Sequence, residues 1–118
     1  MAFKAKSTSG TLDYNKRYLW EIANLGNGIN HWGYVTADTA AAIDIAGYFS
    51  GDEQVAVMKP GDRLTVWNVD GIDDTRSIQD DFAAGMNAIW QTVVMSNDGT
   101  TVNVAPLSEA WSLEYSLP

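Results

Sequence analysis

The chain has 118 residues, enough for one domain with a single apolar core, and 46% of them are hydrophobic, which excludes a disordered chain. It has no cysteine, so disulfides, thiolate zinc sites and cysteine nucleophiles are excluded. The formal net charge of -8 disfavours nucleic acid and anionic membranes as partners, because both repel an acidic surface.

The N-terminal segment differs in charge from the remainder of the chain. Residues 1–12 are small and polar and predict a flexible or partner-ordered arm ahead of one compact domain, 13–118. They contain no apolar run typical of a signal peptide, and no run of about 18 apolar residues elsewhere predicts a membrane helix. We therefore expect a protein made in the cytoplasm of its producing cell. The first 20 residues hold one acid, Asp13, and four of the seven basic residues: Lys4, Lys6, Lys16 and Arg17.

This basic segment has two interpretations. It is either a solvated terminus with ordinary lysines or an arm that docks on an acidic surface of a neighbouring molecule. The second interpretation makes the four cations the candidate contact residues. It also predicts that the contact weakens above physiological ionic strength.

The first predicted elements precede residue 36. The stretch YLWEIANL is dense in apolar residues and fits a strand or a short helix, since eight residues do not decide the period. It is followed by GNGINHWGY, where Gly26, Gly28 and Gly33 predict a loop.

The stretch TADTAAAIDIAGYF predicts a helix of about three turns. Thr36 or Asp38 is suited to cap its N-terminus by accepting a backbone hydrogen bond from the first turn. An apolar face is predicted from the spacing of four residues: Ala42, Ile45, Ala46 and Phe49. So short a helix needs support, which we expect from the strand after it.

Strand and turn signals dominate the second half. Pro60 and Gly61 predict a turn into the strand RLTVWNV. An acidic connection follows, in which Ile78, Phe82 and Met86 suit a short helical face. The strongest local signal is a hairpin over residues 89–105 with Asn97, Asp98 and Gly99 at its tip, and AWSLEYSLP alternates like a half-buried strand.

These elements predict the fold class. It is mainly β with one or two short helices, arranged as a compact antiparallel β-barrel or sandwich. No repeat or low-complexity tract interrupts the pattern. The helix is expected to close one end or face of the β domain.

Candidate chemistry is weak throughout. His31 is the only histidine and lies in a predicted loop without a nucleophile elbow, so neither a catalytic triad nor a zinc site is predicted. We assign no catalytic, cofactor-binding or metal-binding residue, and the protein is predicted not to be an enzyme. An acidic loop at 70–81 leaves calcium binding open, although its spacing is not that of an EF-hand; its carboxylates are Asp70, Asp73, Asp74, Asp80 and Asp81.

The tryptophans offer one further possibility. A flat aromatic surface can bind a sugar or a protein partner. Most of these side chains are expected in the core or at a subunit interface. The five are Trp20, Trp32, Trp67, Trp90 and Trp111.

One segment resembles a known family. Residues 32–71, WGYVTADTAAAIDIAGYFSGDEQVAVMKPGDRLTVWNVDG, are similar to a module of small structural proteins of tailed bacteriophages. The pattern is an aromatic strand, a helix ending in GYF and a Lys-x-Gly-Asp turn into a hydrophobic strand. It covers about a third of the chain, and Pro60 replaces the commoner valine, which rigidifies the turn.

The resemblance implies a virion protein without enzymatic activity. The expected role is a capsid decoration (cement) protein, commonly a homotrimer, that binds the major capsid protein or another virion protein. A tail, fibre or spike module, with or without carbohydrate binding on the host surface, is the alternative. The shortness of the chain and its lack of a repetitive shaft favour decoration. Its location would be the virion, after synthesis in the host cytoplasm, and no cofactor is implied.

Overall fold

The computed structural model describes residues 3–6 and 17–106. Within them the strands form one six-stranded sheet, curled into a half-barrel. In chain order the elements are β1 Leu19–Gly26, β2 Ile29–Thr36, α1 Ala40–Ile43, β3 Phe49–Ser50, α2 Glu53–Val57, β4 Arg63–Val69, α3 Ile78–Ala84, β5 Met86–Asn97 and β6 Thr101–Pro106. None of the helices in these ranges is long and apolar enough to cross a membrane.

The sheet order is β1-β2-β4-β5-β6-β3. The predicted mainly β class is confirmed, and the described residues contain three short helices rather than one or two. The described pairs are antiparallel except β2 with β4, which run parallel. Parallel neighbours need a long crossover, and here α1, β3 and α2 provide it. Because β3 pairs with β6 at the far edge, this crossover spans the sheet before the chain returns to β4.

A tight turn joins β1 to β2. The turn from β1 to β2 has positive φ at Gly26, Asn27 and Gly28, where glycine and asparagine are best tolerated. Only this turn is a loop: β2 begins at Ile29, so the predicted loop through Gly33 is wrong beyond residue 28. The ladder to β1 pairs those residues as a strand.

The predicted three-turn helix is also wrong. Helix α1 has one turn, and its N-cap is Thr39, whose hydroxyl accepts from the Ala42 amide, rather than Thr36 or Asp38. Phe49 lies in β3 opposite Val102, and Ile45 of the predicted apolar face is 66% exposed. Residues 49 and 50 form a strand rather than the end of a helix, because pairing with β6 gives β3 backbone hydrogen bonds and buries Phe49.

The core fills the concave side of the half-barrel. Trp32, Tyr34, Leu64 and Val66 project into it from β2 and β4 and are almost fully buried. Phe49 closes it from the crossover, with its ring 5.2 Å from that of Tyr34. The crossover is therefore also the cover of the core.

The remaining predictions concern the second half. Helix α3 lies where Ile78 and Phe82 predicted it, although Met86 belongs to β5. The strand after Gly61 and the hairpin around Asp98 are confirmed. Helix α2 was not predicted, and the predicted strand AWSLEYSLP lies outside the described residues.

Candidate interaction surface

The convex side of the sheet carries two stacked tryptophans. The rings of Trp20 on β1 and Trp67 on β4 lie 5.5 Å apart and 10° from parallel. They meet above Gly33 of β2, together with Ile22. A Cβ on Gly33 would lie 2.8 Å from Trp20 Cζ2 and 2.9 Å from Trp67 Cζ3. The absence of a side chain at residue 33 is what allows β1 and β4 to join their aromatic side chains across β2.

Apolar side chains continue on both flanks of this stack. Ile89 of β5 is directly opposite Trp67, so it shares the same face. Ile22 is 41% exposed and Ile89 55% exposed. We call the side chains of Trp20, Ile22, Trp67 and Ile89, with the polar row described next, the outer face.

A polar row crosses the same face. His31 Nε2 lies 2.7 Å from Thr65 Oγ1, and that hydroxyl donates to Gln91 Oε1 at 3.1 Å. Because the threonine proton points to Gln91, His31 Nε2 is the donor to Thr65. The row links β2, β4 and β5, and it gives His31 a structural role in place of the predicted loop position.

The outer face differs in charge from the molecule as a whole. None of its side chains is a carboxylate, whereas the chain carries 15 acidic residues and a net charge of -8. Arg63 of β4, a cation, lies directly opposite His31 of β2 and so borders the polar row. The centre of the outer face is therefore uncharged, while the exposed Asp80 lies on α3, whose Phe82 ring is 6.0 Å from that of Trp67.

The described part of the N-terminal segment lies against the body. Ala5 O accepts hydrogen bonds from the backbone N–H groups of Tyr18 and Leu19. Phe3 packs among three rings at centroid distances of 5.2 to 6.0 Å, those of Tyr34, Tyr48 and Phe49.

Two of the four predicted arm cations form ion pairs within the chain. Lys4 Nζ lies 2.8 Å from Asp74 Oδ2, and Arg17 Nη2 lies 2.8 Å from Asp52 Oδ1. The side chain of Lys6 is exposed, and the backbone of Lys6 pairs with that of Arg17 in an isolated antiparallel β-bridge. Lys16 lies outside the described residues. The positive segment thus already meets the acidic body of its own chain.

Buried and half-buried tyrosines form a second polar cluster beneath the segment. Tyr48 donates to Asp38 Oδ2 at 2.6 Å and its hydroxyl lies 2.6 Å from that of Tyr34. Burial, the neighbouring Tyr34 and the bond to Asp38 raise the pKa of Tyr48 well above its usual range. Burial and the bond to Asp74 likewise raise the pKa of Tyr18, which keeps both hydroxyls protonated as donors.

The acidic loop at 70–81 is organised by internal bonds. Arg76 Nε donates to the buried Asp81 at 2.6 Å, and Tyr18 and Lys4 both bond to Asp74. Among the described residues, no group of three histidine, cysteine or acidic side chains is arranged to hold a metal ion. These carboxylates therefore act as anchors for the N-terminal segment and for α3.

The described tryptophans offer little flat surface to a sugar. Trp32 is buried, and Trp67 is contacted by Trp20 and by Phe82, whose ring centroid lies 6.0 Å away. Trp90 packs against the core, and Trp111 lies outside the described residues. The pattern that could have revealed the outer face was the alternation of Trp20 and Ile22 beside an in-strand glycine.

Comparison of the chain with protein-family models, with curated proteins and with solved structures finds no match. The functional conclusion therefore depends on the geometry above and on the resemblance of residues 32–71.

Proposed function

We propose that this protein is a non-enzymatic virion component, a capsid decoration protein that binds the assembled shell of a tailed phage. The observation that carries the proposal is the outer face, where exposed Ile22 and Ile89 flank the tryptophan stack. Such a surface, apolar at its centre and held on a rigid sheet, is suited to protein contact. The partner is the major capsid protein or another virion protein, and the favoured assembly is a homotrimer.

The resembling segment supports the same proposal. Residues 32–71 run from β2 through α1, β3 and α2 to the end of β4. They supply the two parallel strands, β2 and β4, and the cover of the core. The likeness to the phage module thus concerns the architectural centre of the fold, and Gly33, Thr65 and Trp67 of the outer face lie within it.

The N-terminal cations are the second part of the proposal. In a shell, the exposed Lys6 would meet carboxylates of a neighbour, whereas Lys4 and Arg17 would do so only by exchanging Asp74 and Asp52 for them. Such charge contacts make attachment sensitive to salt. Deleting residues 1–12 is expected to weaken attachment. Because the deletion also removes Phe3 from its aromatic contacts, Lys6→Ala is the cleaner variant for charge alone.

The first experiment is quantitative mass spectrometry of purified particles from the source. A copy number close to that of the major shell protein, or a fixed simple fraction of it, supports decoration. A few copies per particle indicate a tail, fibre or spike role instead. Absence from the particle overturns the virion proposal.

A matched pair of variants then tests the outer face. Ile89 and Val57 are each 55% exposed, but Val57 lies on α2, away from the outer face. Ile89→Glu is expected to lower shell affinity by about tenfold or more, and Val57→Glu is expected to leave it near the wild-type value. Equal losses in the two variants would remove the outer face from the proposal.

A further inference from the structure

The turn between β1 and β2 consists of an asparagine followed by a glycine. Gly26 pairs with Ile29 in the ladder, so Asn27 and Gly28 are the two loop residues. Both have positive φ, 56° and 81°, which is typical of the type I′ turn that Asn-Gly favours. Both are exposed, and apart from the adjacent residues no atom lies within 4 Å of the place that a Cβ on Gly28 would take. The peptide nitrogen after Asn27 is therefore accessible from outside the turn.

Neither polar group of this pair is held by a hydrogen bond. Within the described residues, neither the Asn27 carboxamide nor the Gly28 N–H forms one. The neighbouring Asn24 differs, because its Oδ1 accepts from the Gly26 N–H at 2.8 Å. The residue after Asn24 is Leu25, whose side chain hinders an approach to the peptide nitrogen.

The turn ends a part of the sheet that opens easily. The ladder between β2 and β4 begins at His31 opposite Arg63, and the β1–β2 hairpin continues past that pair to its turn. Residues 21–29 are all exposed. Because a two-stranded ribbon without buried side chains is only marginally stable, its tip opens locally at a low free energy. Such openings allow the Gly28 nitrogen to reach the Asn27 side chain.

We propose that Asn27 is a site of spontaneous deamidation through a succinimide. The Gly28 nitrogen bonds to Asn27 Cγ and loses its proton, the Cγ–Nδ2 bond breaks, and the nitrogen leaves as ammonia. Water then opens the ring at either carbonyl and gives aspartate or isoaspartate. One water is consumed and one ammonia is released, so the reaction needs no oxidant, reductant or cofactor.

The turn of the β5–β6 hairpin shows what protects a residue before glycine. The Asp98 carboxylate accepts from the backbone N–H groups of Thr100 and Thr101 at 2.9 and 2.8 Å. These bonds lower the pKa of Asp98, and an ionised carboxylate resists attack by a nitrogen. The Gly99 N–H donates to Asn97 Oδ1 at 2.8 Å. Both reacting groups are therefore held by hydrogen bonds in this turn, whereas both are free of them in the β1–β2 turn.

Deamidation changes the surface next to the outer face. Ile29 lies two residues before His31 on β2, so the alternation of the strand places it on the same side, where it is 39% exposed. Aspartate at residue 27 adds a negative charge beside Ile29. Isoaspartate lengthens the backbone of a two-residue turn by one carbon, which disturbs the pairing of Gly26 with Ile29.

Peptide mapping of the full chain tests the proposal. The protein is kept in warm, mildly alkaline buffer and sampled over days, and mass spectrometry separates asparagine, aspartate and isoaspartate. Residue 27 is expected to convert at least about tenfold faster than Asn24 and Asn30, because the side chains that follow those two residues hinder the attack. Isoaspartate should also form more slowly at Asp98 than at residue 27. Equal conversion of the three asparagines, or faster isomerisation of Asp98, would overturn the proposal.

Asn27→Gly is the matched variant, because glycine accepts the positive φ and has no carboxamide. It should keep the circular dichroism spectrum and the urea midpoint of the wild type. Ion-exchange chromatography of the aged wild type is expected to show new acidic forms that the aged variant lacks. Acidic forms that accumulate in the variant at the wild-type rate would place the modification elsewhere and refute the assignment of Asn27.

Discussion

Gly33 determines whether the outer face forms. A methyl group at this residue would lie less than 3.0 Å from atoms of Trp20 and Trp67. We expect Gly33→Ala to separate the stacked rings and to lower the free energy of unfolding by about 1–3 kcal/mol. Near-ultraviolet circular dichroism and urea unfolding would measure the two effects. Gly71→Ala is the matched control, since nothing lies within 4 Å of its added carbon. Equal behaviour of both variants would contradict this role of Gly33.

Asp62 is the buried acid that fixes the turn before β4. Its carboxylate accepts from the backbone N–H groups of Asn30 and Lys59 and from Trp32 Nε1, each at 2.9 Å. Asp62→Ala leaves these donors without an acceptor and is expected to cost about 3 kcal/mol or more in the free energy of unfolding. Urea titration measures the loss. Asp80→Ala, at an exposed carboxylate in α3, should cost no more than about 1 kcal/mol. A similar small loss in both variants would show that Asp62 is dispensable.

At the scale of elements, the N-terminal segment behaves as an added piece of the core. Phe3 contacts the rings of Tyr34, Tyr48 and Phe49, which belong to β2, the crossover and β3. Phe3→Ala removes these contacts and is expected to lower the free energy of unfolding by about 1–3 kcal/mol.

Lys6→Ala is the control for this prediction, because Lys6 is exposed and should change stability by no more than about 0.5 kcal/mol. Denaturant unfolding of both variants and the wild type would give the comparison. A Phe3→Ala protein as stable as the wild type would mean that the segment is not held by its ring. In that case the proposed binding of this segment to a shell would not require Phe3 to leave stabilising contacts with the three rings.

At the scale of the whole molecule, buried tyrosines predict sensitivity to alkali. The pKa values of Tyr18, Tyr34 and Tyr48 are raised, first of all by burial. An unfolded tyrosine ionises near pH 10, so above that pH the unfolded chain releases protons that the folded chain keeps. Stability is therefore complete below about pH 10 and falls as the pH rises beyond it.

Urea unfolding at pH 8, 10 and 11 would measure this decline. In Tyr48→Phe the free energy of unfolding should fall less steeply with pH, because one tyrosine fewer ionises on unfolding. At pH 8 it should be lower than in the wild type by about 1–2 kcal/mol, because Asp38 loses the hydroxyl donor of Tyr48. A slope identical to that of the wild type would contradict the assignment of Tyr48 as a protonated donor.

Local patterns in the sequence were enough to predict the β class, the hairpin at Asp98, the turn before β4 and the helix around Phe82. Each depends on residues close together in the chain, such as turn formers and β-branched runs. The tertiary structure decided the rest. Phe49 was predicted in a helix, but in the structure it lies in β3 and pairs with Val102, 53 positions away in the chain.

The parallel neighbours β2 and β4 brought Trp20, Gly33 and Trp67 into one surface. The same applies to the N-terminal cations, of which two pair with Asp52 and Asp74. These contacts depend on strand order and register, which are set by burial across the whole sheet rather than by local preference. The sequence by itself therefore determined which side chains the outer face contains. Which of them lie side by side was decided only by the order and register of the strands.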